Sequence, residues 1–205
     1  MITYVTEHST PPSDVLASLR AATSEKHAVL DRAMPLAHAA PTLVDYRDHL
    51  LILRAWLAPL ETWLAGFDDG PQDPARLPQV SRADVLEQDL ADTAIPQGGA
   101  TVDNIDVGTL RSEPAYRWGL CYVIEGSQLG GAVIYRNFAE RLAPHPLRYL
   151  GGGASPGPRW QQFLHALRTH VTTDDDIALA GQGAQRAFDD LLARIPSMAS
   201  GHGVK

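Results

Sequence analysis

His27 stands in the segment "LRAATSEKHAVLDRAM", with an acid four residues after it and a basic residue seven before it. At 100° per residue, Leu16, Leu19, Thr23, Leu30 and Met34 form one helical stripe. His27 falls inside that stripe, about 20° from Leu16. Asp31, at i+4, can accept a hydrogen bond from one ring nitrogen, which orients the imidazole and leaves the other nitrogen for a metal. Arg20 lies two turns earlier on nearly the same side, where a guanidinium can meet an anion. A histidine on an apolar face is more often a core residue than a ligand, so this spacing needs a second feature beside it.

The second feature is "EGSQLGGAV", residues 125–133, inside a stretch whose spacing predicts a helix from Glu113 to about Ala143. Glycine within a helix costs roughly 1 kcal/mol against alanine, so a cluster of them calls for a reason. Gly119, Gly126 and Gly130 fall within about 40° of arc, a bare stripe flanked by Tyr122 and Val133. Gly131 points about 100° away from Gly130, towards neighbouring packing. Two readings are open: another helix crossing the backbone closely, or a flat ligand lying across it. Arg117, Glu125, Arg136 and Glu140 exclude a membrane version of the first. An inward imidazole, a cation on the same edge and a bare helix together suit an anionic planar metallomacrocycle. Haem meets that description: imidazole for the iron, a cation for the propionates, glycine for the flat face.

The elements that must position these residues are helical. Ser13 is the expected cap of a first helix reaching about Met34. Thr42 and Asp45 read as a capping box before "LVDYRDHLLILRAWLAPLETWLA", where Pro59 should kink or divide the helix. Ser81 and Asp84 open a shorter helix through "VLEQDLAD", and Ser112-Glu113-Pro114 opens the glycine-bearing one. "APHPLRYLGGGASPGP" reads as loop, helical spacing resumes at Trp160, and Thr173 with Asp176 starts the last helix. The expected architecture is all-α: a polar leader over 1–12, one compact multi-helix domain over 13–195 and a tail over 196–205. With 205 residues, 20% charged residues and a net charge of −7, the chain has no basic footprint for nucleic acid. It has no apolar run of membrane-spanning length and no apolar signal core at its start, so a cytoplasmic location is expected. Its one cysteine, Cys121, permits no internal disulfide and reads as a small buried apolar residue. His49, His165 and His170 are expected at surface or rim positions.

"LRAATSEKHAVLD" and "YVIEGSQLGGAVIYRNFAERL" resemble the proximal and distal helix motifs of the haem oxygenase family, particularly its bacterial branch. "VLEQDLAD", "RWQQFLHAL" and "GAQRAFDDLL" resemble its further helices in order, so that the similarity spans about residues 13–195. The resemblance implies that His27 is the axial ligand of haem iron and that Arg20 faces a propionate. It implies that Gly126 and Gly130 contact the haem and leave room for dioxygen. Tyr122 matches a tyrosine near the propionate edge. Ser127 stands where animal relatives carry an aspartate that organises distal water, a relay to which serine brings no carboxylate. Haem is then both substrate and cofactor, opened with O2 and external electrons to biliverdin, carbon monoxide and ferrous iron. No flavin, nicotinamide or iron–sulfur motif is present, so a ferredoxin or flavoprotein reductase is implied, and a biliverdin-accepting phytochrome is a further implied partner. Two alternatives stay open on the residues themselves. One is a haem-binding or transfer protein that turns over poorly; the other is a helical interaction domain in which the stripe is only a crossing.

Overall fold

In the computed structural model, which describes residues 14–151 and 156–195, the first helix, α1, runs Val15–Ala33. Asp14 caps it, its carboxylate accepting from the Leu16 amide, whereas the expected cap Ser13 lies outside the described residues. α2, Leu43–Leu64, opens with the complete Thr42–Asp45 capping box. Pro59 does not divide it. The ring removes the amide that would bond the Ala55 carbonyl, and the Ile105 amide from a distant loop supplies that bond at 3.1 Å. α3, Ala83–Leu90, is capped across space: the Glu61 carboxylate of α2 takes the Arg82 and Ala83 amides at 2.9–3.1 Å. The Ser81 hydroxyl reaches only 3.5 Å from the Asp84 amide.

α4, Pro114–Phe138, carries the glycines and stops short of the expected Ala143. Pro144 cannot continue a helix, because its ring collides with the carbonyl four residues earlier. The chain turns over 139–144, where Leu142 and Ala143 bond back to Phe138 and Glu140. The stretch read as loop contains a one-turn helix, α5, Arg148–Gly151. α6, Pro156–His170, and α7, Asp174–Leu192, follow, the latter capped by Thr173 as the sequence predicts. Among the described residues the secondary structure is helical throughout. None of these helices is long and apolar enough to cross a membrane.

α7 packs on both α1 and α4 and so fixes where those two helices stand. Toward α1 it uses the Lys26–Asp189 ion pair, a bond from Gln185 Nε2 to the Ala22 carbonyl, and Phe188 against His27. Buried polar side chains tie the long connections to this frame. Arg117, almost wholly buried, donates to the Ser112 and Asp69 carbonyls and pairs with the Asp69 carboxylate. Asp89 accepts from the Tyr46 hydroxyl at 2.6 Å and from the Tyr149 amide at 2.8 Å, anchoring α5 to α3.

His49 is not at the surface. It is buried on α2, its Nδ1 has no hydrogen-bond partner among the described residues, and burial alone depresses its pKa to about 4. A histidine that folds neutral but titrates near 6.5 when unfolded destabilises the native state as pH falls from about 6.5 to 4. The loss is on the order of 3 kcal/mol at the acid end of that window. Urea unfolding of wild type and His49→Leu at pH 7 and pH 4.5 isolates this contribution. The variant should lose less stability than wild type, and equal losses would refute the assignment.

Candidate functional site

α1 continues past its last fully buried residue, Thr23, with its remaining turns largely exposed. His27 stands on that stretch with 62% of its side chain accessible, so it is not the satisfied core histidine its stripe allowed. Its Nδ1 pairs with Asp31 Oδ2 at 2.9 Å. This is the pairing the i+4 spacing permits, and with Nδ1 turned to Asp31 it is Nε2 that could serve a metal. Phe188 of α7 lies 5.8 Å away, centroid to centroid, and supports one side of the ring. The residues therefore fit an imidazole ligand: the side chain is accessible, one nitrogen pairs with a carboxylate, and Phe188 backs the ring.

The glycine stripe of α4 divides in two. A Cβ built on Gly119 would lie 1.9 Å from the Ala180 carbonyl oxygen, and one on Gly183 would lie 2.1 Å from that of Tyr116. These reciprocal notches let α4 and α7 cross with their backbones in contact. Two turns on, about 10 Å along the axis, α7 is out of reach. A Cβ on Gly126 would meet only the Trp160 ring, at an ordinary 3.7 Å, and one on Gly130 would meet nothing within 4 Å. A Cβ on Gly131 would meet Leu150 of α5 at 3.6 Å, as its direction predicts. The first glycine is thus a helix crossing, and the open face belongs to the other end of the stripe.

Tyr122 is half-buried between these two ends. Burial raises its pKa, and the Arg20 guanidinium beside its hydroxyl pulls the other way. Arg20 and Tyr122, the two candidates for meeting an anionic edge, therefore come together from α1 and α4. Arg148 and Arg168 are occupied elsewhere, with Asp89 and Asp92 and with Asp14 respectively. Ser127 donates to the Ile124 carbonyl at 2.8 Å and receives Gln128 Nε2 at 3.3 Å; Gln128 also donates to the Tyr149 hydroxyl at 3.2 Å. Cys121 is buried, its thiol pushed up to about 12 chiefly by burial, which leaves it unreactive at neutral pH.

Two participants were not legible as such. Trp160 follows the helical spacing of Phe163, Leu164 and Leu167 and reads as core, yet its ring stands beside Gly126, 5.6 Å from Tyr122. Tyr149 lies in a Pro/Gly-rich stretch with no periodic signal, and its role behind Ser127 depends on the fold of α5.

The chain matches the family model described as heme oxygenase over residues 13–192. It is 32% identical over 145 residues to a heme oxygenase of Xanthomonas campestris pv. campestris (strain 8004), covering 69% of this chain and 81% of that protein. Its fold is similar to that of the NO- and CO-bound heme oxygenase of Neisseria meningitidis, with a TM-score of 0.67 at 20% identity over 91% of this chain and 93% of that one.

Proposed function

Because the chain belongs to the haem oxygenase family, and is an oxidoreductase on that account, we propose that it opens haem to biliverdin, carbon monoxide and ferrous iron, using O2 and electrons from a ferredoxin or flavoprotein reductase. The observation that carries the proposal is the accessible His27 imidazole held through Nδ1 by Asp31. Haem bound there supplies both the iron that takes up oxygen and the ring that is cleaved.

His27 would hold the haem iron, with Asp31 orienting its ring through Nδ1. An imidazole ligand, unlike a thiolate, would not push the iron strongly towards O–O cleavage. Gly130 would present backbone instead of a side chain to the other face, with Gly126 at its edge beside Trp160. That would leave room on this face for a diatomic molecule. Ser127, already donating to Ile124, keeps acceptor capacity and helps backbone carbonyls hold the water that delivers a proton. Arg20 binds a propionate, with Tyr122 beside it. The enzyme acts in the cytoplasm and passes biliverdin to a phytochrome or to further metabolism.

Hemin added to the protein should give an intense Soret band. Reductant and oxygen should then bleach it, with green pigment and trappable ferrous iron appearing. A stable ferrous or oxy complex without pigment would instead identify a haem-binding protein. Arg20→Ala should weaken hemin binding or shift the ratio of biliverdin isomers; chromatography showing neither would remove Arg20 from the site.

A further inference from the structure

Glu125 directly precedes Gly126 and is buried, at 5% exposure, although it is a carboxylate. It is held by two guanidinium groups. Arg159 of α6 donates to it bidentately, Nε at 2.8 Å and Nη2 at 2.7 Å, and Arg82 of α3 donates Nη2 at 2.6 Å. Arg159 spends its remaining arm on the Pro78 carbonyl at 2.9 Å. A carboxylate buried this far is kept in one place by its partners, because no other position nearby offers it the same solvation.

The next residue on each helix makes the second half of the contact. Trp160 follows Arg159, Gly126 follows Glu125, and the indole edge stands 3.7 Å from where a Cβ on Gly126 would be. The same ring stacks on Phe163 at 5.6 Å and 15° and tilts against Tyr122 at 5.6 Å. A flat molecule is about as thick as a stacked aromatic ring and cannot enter between Trp160 and the Gly126 backbone. Its edge must stop at the indole while its face extends over Gly130, where the space is open.

We infer that Trp160 is the wall that sets how far haem slides across the distal helix, and hence which meso edge lies over Gly130. Glu125, through Arg159, is the positioning residue that keeps the wall in place. The inference rests on the haem reading above.

The test uses the cyanide-ligated ferric complexes of the full-length protein. Their proton NMR resolves the ring methyl groups and so reports seating independently of turnover. Wild type should show one dominant set of methyl resonances. Trp160→Ala should lose that single set in favour of at least two, and its products should change from one main biliverdin isomer to a mixture. Trp160→Phe, which keeps a flat ring, should stay close to wild type. Arg159→Met leaves Glu125 paired with Arg82 and should reproduce the alanine pattern, with Arg159→Lys restoring it in part. Wild-type spectra and isomers from Trp160→Ala would overturn the inference while leaving the haem reading intact. An unchanged Arg159→Met would remove the positioning role. Failure of wild type to bind hemin would remove the haem reading itself and this inference with it.

Discussion

Replacing His27 with alanine should leave a folded protein that has lost its native haem spectrum. The side chain is 62% accessible and pairs with an equally exposed Asp31, so little of the fold depends on it. The unfolding midpoint should stay within about 2 °C of wild type, the range expected for surface changes in a chain of this size. The absorption spectrum should change completely: the Soret band moves or collapses, pigment formation stops, and millimolar imidazole in solution restores both in part. Asp31→Ala should do less, weakening the complex about tenfold by releasing the ring from its fixed tautomer. A His27→Ala variant with an unaltered Soret band would sink the axial assignment.

Two glycines on one helix face should respond in opposite directions. Gly119→Ala forces a methyl group into the Ala180 carbonyl, and both atoms belong to backbone that α7 cannot move cheaply. The cost should reach or exceed about 3 kcal/mol, lowering the midpoint by roughly 10 °C. Gly130→Ala places its methyl in open space and gains helix propensity of roughly 1 kcal/mol, so ligand-free protein should melt a few degrees higher. The gain reverses when hemin is present, because the methyl occupies the distal face, and Gly130→Leu should block that face altogether. Differential scanning calorimetry of the variants with and without hemin measures both effects. A Gly130→Ala variant that melts lower when ligand-free, or binds oxygen as wild type does, would refute the open-face reading.

The contrast explains why the stripe could not be interpreted from spacing alone. Gly119, Gly126 and Gly130 share a helix face to within about 40°, and periodicity carries no information about what lies opposite. The helix crossing holds at Gly119, while Gly130 at the other end of the same stripe faces open space. Pro59 makes a similar point: its missing amide leaves the Ala55 carbonyl short of a bond, and only the chain's return at Ile105 keeps α2 whole. His49 follows the same rule, since an α2 flanked on several sides buries a residue that a one-sided helix would expose.

Local chemistry was enough to determine the helical architecture, the capping at Thr42 and Thr173, and the Asp31–His27 pair. Each of these depends on residues within four positions of one another, where backbone geometry alone sets the distance. Tertiary structure decided which glycines touch α7, that Glu61 caps α3, that Arg20 meets Tyr122, and that Trp160 stands beside Gly126. Those contacts join residues 21 to 102 positions apart, and their distances follow from how helices cross, which no local spacing encodes.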